Sequence, residues 1–95
     1  MIQIKTTEIY QKWLSKIRDN VFKIRLATRL RRLKLGNFGD VKSVGDGVSE
    51  LRIDYGPGYR IYFTKQGNKI ILLLCGGDKR TQDKDIKRAK EMLKC

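Results

Sequence analysis

Between Val48 and Cys75 the hydrophobic pattern is broken twice, each break marked by glycine. Val48 to Asp54 alternates, with Leu51 and Ile53 on one side of the chain and Glu50 and Arg52 on the other. Tyr55-Gly56-Pro57-Gly58 reads as a turn, because Pro57 presets φ and glycine reaches conformations closed to other residues. Tyr59 to Thr64 alternates again, Gln66-Gly67-Asn68 turns the chain, and Lys69 to Cys75 is almost wholly apolar. A short apolar run bounded by turns reads as a central strand buried on both faces. The pattern predicts a three-stranded meander whose most buried strand comes last and ends at Gly76 and Gly77.

Before the meander, Ile2 to Lys5 alternates briefly, as a short edge strand would. Thr6 or Thr7 followed by Glu8 marks a helix start. Ile9, Trp13 and Ile17 then recur every four residues with Tyr10 and Leu14 beside them, which places Trp13 in the core. Asp19-Asn20 ends that helix and caps a second one. Its apolar stripe is Phe22, Leu26, Leu30 and Leu33, with Ala27 alongside, and Gly36 stops it. Asn37 to Ser43 reads as a loop leading into a short strand, and Gly45-Asp46-Gly47 turns that strand into the meander. Beyond Gly77, Thr81 or Asp83 opens a last helix with Ile86, Ala89 and Leu93 on one face. The order predicts a single α+β domain over residues 1–95. Two N-terminal helices pack together on a four- to five-stranded, mainly antiparallel sheet, and a C-terminal helix closes the chain.

Composition narrows the function. The net charge is +12 over 95 residues, and residues 1–35 alone hold ten basic against two acidic side chains. A domain so basic points to a polyanionic partner. The chain has no histidine and only two cysteines, Cys75 and Cys95, which excludes His-based catalysis and the usual zinc spacings. The longest apolar run is too short to span a bilayer and no signal-peptide pattern opens the chain, so a reduced, cytoplasmic protein without metal or cofactor is expected.

Two clusters are candidates for chemistry. On the meander, the period of two puts Glu50, Arg52, Arg60 and Tyr62 on the face opposite the apolar set, expected to be solvent-facing. That face reads either as a solvated surface with Arg52 paired to Glu50 or Asp54, or as an anion site. On the second helix, Lys23, Arg25, Arg29, Arg31, Arg32 and Lys34 stand with no acid between Asp19 and Asp40. Their mutual repulsion at i,i+4 spacing suits a surface that tracks phosphates.

Taken in order, four motifs resemble the RelE/ParE superfamily of toxins from toxin–antitoxin systems, in particular its HigB-like "addiction module killer" branch. They are R-L-x-R-L-x-L-G-N-F-G-D at Arg29 to Asp40, V-G-D-G-V-S-E-L-R-I at Val44 to Ile53, G-P-G-Y-R-I-Y-F at Gly56 to Phe63, and L-L-C-G-G-D-K at Leu73 to Lys79. The resemblance covers nearly the whole chain. It implies a toxin neutralised by a cognate antitoxin and acting as a metal-independent endonuclease on messenger RNA at the ribosome. It further implies that Arg60, Arg52, Lys79 and Arg80 hold the scissile phosphate as the 2′-hydroxyl attacks. The chain departs from the family pattern at the proton-transfer group. Where relatives place a tyrosine early in the last helix, this chain has Asp85 or Ile86; Glu50, Tyr62 and Asp78 are the remaining candidates. The alternatives are a ParE-like poison of DNA gyrase and a non-catalytic basic RNA- or ribosome-binding module. On this reading the helix-2 cations dock on ribosomal RNA, and Arg60→Ala leaves stability within about 0.5 kcal/mol of native, as at an exposed site.

Overall fold

A computed structural model describes residues 1–94, so Cys95 lies outside the described residues. The elements follow the predicted order: β1 (Gln3–Thr6), α1 (Glu8–Ser15), α2 (Asn20–Lys34), β2 (Val41–Gly45), β3 (Val48–Ile53), β4 (Tyr59–Gln66), β5 (Ile70–Gly77), a 3-10 turn (Lys79–Thr81) and α3 (Gln82–Met92). They form one five-stranded sheet in the order β1-β5-β4-β3-β2. β1 runs parallel to β5, while β2 to β5 form an antiparallel meander. The apolar strand β5 is interior, as expected, but the middle strand is β4. Among the described residues no helix is long and apolar enough to cross a membrane.

Local chemistry sets the boundaries. Thr7 caps α1 by accepting from Tyr10 N at 3.1 Å, and Asp19 caps α2 by accepting from Phe22 N at 3.1 Å. Gly36, at φ +83°, lets the chain leave α2 in a left-handed conformation. α1 is shorter than its periodicity suggests: it stops at Ser15, and Ile17 packs on the core from the following turn. β2 begins earlier than expected, because Val41 pairs with Leu51 and draws part of the predicted loop into the sheet.

Both faces of the sheet are covered. Tyr10, Phe22, Leu26 and Leu33 of α1 and α2 pack on Leu51, Ile53, Ile61, Phe63, Ile71 and Leu73. On the other face, Ala89 of α3, flanked by Ile86 and Leu93, packs on Val48, Tyr62, Leu74 and Cys75. Each large apolar side chain buried in this way contributes about 1.5–3 kcal/mol. This second core corrects the expectation of an open sheet surface. Glu50 and Tyr62 are fully buried and Arg60 is 7% exposed. The apolar stripe of the last helix needs a surface to cover, and this face supplies it.

A bulge then adjusts β5. Tyr62 pairs with Cys75 and Phe63 with Leu73, which leaves Leu74 unpaired and reverses the facing of the residues after it. Gly76 and Gly77 therefore belong to the strand and admit close neighbours on opposite faces. A Cβ at Gly76 would stand 2.4 Å from the Trp13 ring, and one at Gly77 would stand 1.8 Å from Asp85 Oδ2. Trp13 anchors this end as expected, edge-on to Phe22 at 6.1 Å and to Tyr59 at 6.4 Å.

Candidate functional site

The β3–β4 register places Glu50 opposite Tyr62 and Arg52 opposite Arg60, all four side chains on the α3 face. Like charges directly across an antiparallel pair are destabilising, so this arrangement needs a counter-charge. Glu50 supplies it. Its Oε1 accepts from Arg52 Nε at 2.9 Å and lies 3.9 Å from Arg60 Nε. Its Oε2 accepts from Tyr62 Oη at 3.1 Å and from Gln82 Nε2 at 2.8 Å. Burial alone would raise the Glu50 pKa, but the hydrogen bonds from Arg52, Gln82 and Tyr62 outweigh it and hold the group below the usual carboxylate range. Tyr62 goes the other way: burial, then the Glu50 charge, pushes its phenol far up. Glu50 is thus a buried anion that orients guanidinium groups, and Tyr62 is one of its donors.

Arg52 keeps a third of its side chain exposed, at 32%, whereas Arg60 keeps 9%. Arg60 Nη1 donates to the carbonyls of Gly58 at 3.3 Å and Tyr59 at 3.2 Å, and Arg60 Nε has no hydrogen-bond partner among the described residues. Gly58, at φ +77°, also brings in the next cation. A Cβ there would stand 2.8 Å from Lys79 Cγ, so only glycine lets the lysine stem lie against the turn. Arg52, Arg60 and Lys79 therefore converge at one end of the sheet. Arg80 follows in the same turn, 81% exposed and paired with Asp78 at 3.0 Å. That pairing, first through the Arg80 hydrogen bond, lowers the Asp78 pKa and occupies its carboxylate.

The basic helix lies elsewhere, because α2 packs on the opposite face of the sheet. Lys23, Arg25, Arg31, Arg32 and Lys34 are exposed on it. Arg25 lies over the Tyr55 ring at 5.1 Å, and Arg31 reaches Thr28 Oγ1 at 3.4 Å. Arg29 departs from the expected docking role. Its guanidinium donates to the carbonyls of Arg52, Phe38 and Asp40, the last at 3.2 Å, and so ties α2 to β3 and to the loop before β2. It is spent inside the protein. In the sequence nothing separates it from the exposed cations on the same helix.

Three participants had no distinct signal in the sequence. Gln82, read only as part of a helix start, reaches back to Glu50. Tyr55 donates to both carboxylate oxygens of Asp19, at 2.8 and 3.0 Å, which pins the Gly56–Gly58 turn to the cap of α2. Asp85 is 8% exposed, accepts from the Thr81 hydroxyl, and has its pKa raised by burial.

Comparison with known proteins assigns the family. Residues 12–94 match the family described as Phage derived protein Gp49-like (DUF891). The chain belongs to this family. A protein of Haemophilus influenzae strain Rd, described as an uncharacterized protein, is 57% identical over 89 residues, which is 94% of this chain and 90% of its own length. The Gp49-like match begins within α1 and runs through α3, so it includes every side chain of the site.

Proposed function

We propose that this Gp49-like protein is the toxin of a toxin–antitoxin module and cleaves messenger RNA at the ribosome, in the manner of the RelE/ParE superfamily it resembles. One observation carries the reading: Arg52 and Arg60 stand opposite each other on β3 and β4 around a single fully buried carboxylate, which accepts from Arg52 at 2.9 Å and lies 3.9 Å from Arg60. Two guanidinium groups fixed side by side at a cost in repulsion suit an anion that develops charge. Guanidinium groups fork onto phosphate oxygens and stay ionised at every accessible pH.

In this reading the 2′-hydroxyl of the substrate gives up its proton to water as its oxygen attacks the adjacent phosphorus, and the bond to the 5′-oxygen breaks as that oxygen takes up a proton from water. The products are a 2′,3′-cyclic phosphate and a 5′-hydroxyl. Arg52 and Arg60 bind the phosphoryl oxygens, and Lys79 and Arg80 hold the flanking strand. Glu50, itself bonded by Tyr62 and Gln82, fixes Arg52 from below, and the Gly58 and Tyr59 carbonyls fix Arg60. Preorganised donors of this kind contribute about 10²- to 10³-fold each. The exposed cations of α2, on the far face, are left to dock on ribosomal RNA.

The test is brief expression followed by mapping of messenger 5′ ends. Discrete cuts within translated codons support the proposal. Intact transcripts with broken chromosomal DNA would replace it with a gyrase poison, and growth without either lesion would leave a basic binding module.

A further inference from the structure

We infer that Asp85 is a positioning residue that sets the Lys79–Arg80 turn against the sheet, and that Gly77 is glycine to make room for it. The inference rests on the function proposed above, since it concerns cations of that site. Across the sheet, Arg60 pairs with Arg52 on one side and with Gly77 on the other. The third place in this row, where a side chain of residue 77 would start, is filled by the Asp85 carboxyl, whose Oδ2 lies 1.8 Å from the ideal Cβ position. Thr81 Oγ1 lies 2.8 Å from the same point and donates to Asp85 Oδ2.

From there the connection runs back through the turn. Thr81 Oγ1 accepts from Asp78 N at 3.4 Å, and the Asp78 carboxylate accepts from Arg80 N at 2.8 Å and Arg80 Nη2 at 3.0 Å. A buried carboxyl on the first turn of α3 thus holds the segment that presents both cations. Glu50 reaches only Gln82, the residue after this segment, and Asp78 acts from within the turn itself, so Asp85 is the acid that ties the turn to the sheet. The carboxyl and a Cβ at residue 77 exclude each other, so Gly77→Ala should act by displacing Asp85.

Two measurements decide the matter. The first is amide hydrogen exchange at Lys79, Arg80 and Thr81 in the free protein. Thr81→Val should speed it about tenfold, and Thr81→Ser, which keeps the hydroxyl, should restore it. The second is binding of a short 2′-O-methyl oligoribonucleotide, which cannot be cleaved. Asp85→Ala should weaken binding about tenfold in the native chain and change it less than about twofold once Lys79 and Arg80 are alanine. Equal losses in both backgrounds, no loss in the native chain, or exchange unmoved by Thr81→Val would each overturn the inference. Where Asp85→Ala does not fold, the Thr81 pair carries both measurements. Should the native chain bind no RNA, the proposed function fails and the exchange arm decides the positioning role by itself.

Discussion

Glu50 concentrates the physics of the site in one residue. A carboxylate with no exposed surface is tolerable only while its oxygens accept from Arg52, Gln82 and Tyr62. Its folded pKa lies below the unfolded value, so its contribution to stability is complete above the unfolded value and is lost as pH falls through the lowered one. Denaturant unfolding measured at falling pH should show this acid loss in the native chain and a flatter dependence in Glu50→Gln. Arg60 calls for a revised expectation. It is buried and bonded to two carbonyls, so Arg60→Ala should cost about 1–3 kcal/mol as well as toxicity. Arg60→Lys, which keeps charge but not the fork, should separate the two effects by folding well and failing to arrest growth. The alternation of β3 and β4 showed which side chains share a face. It could not show that face to be covered, because the partner of the Ile86–Ala89–Leu93 stripe is a tertiary fact absent from any local pattern.

Among the elements, α2 carries two kinds of arginine. Arg29 joins α2 to β3 and the loop before β2 through three carbonyls, and a lysine cannot reproduce that geometry. Arg29→Lys should therefore lower stability by about 2 kcal/mol and leave the salt dependence of ribosome association unchanged. Replacing Arg25, Arg32 and Lys34 by glutamine should do the reverse. For every cation removed from a phosphate, the slope of log affinity against log salt should flatten by about 0.7 to 0.9. A slope as steep as native after all three changes would place the docking surface elsewhere. Caps at Thr7 and Asp19 and the stop at Gly36 were legible because each is a local hydrogen bond or a local φ requirement. The Leu74 bulge was not, since an extra residue in an apolar run leaves no mark on its composition.

For the whole molecule, the balance of +12 predicts a partner that supplies acids. A cognate antitoxin encoded beside this chain should co-purify with it when both are expressed. Its association should be fast and sensitive to ionic strength, with affinity set by apolar anchors more than by rim charges. Failure of any neighbouring product to co-purify, together with harmless expression of the chain alone, would remove the toxin–antitoxin reading. The chemistry itself is tested most directly by the ends of messenger fragments made by the purified protein in a cell-free translation reaction. Cleavage by 2′-oxygen attack predicts 2′,3′-cyclic phosphates at cuts within translated codons, absent with Arg52→Ala and Arg60→Lys. Fragments ending in a free 3′-hydroxyl, or no new ends at all, would contradict it.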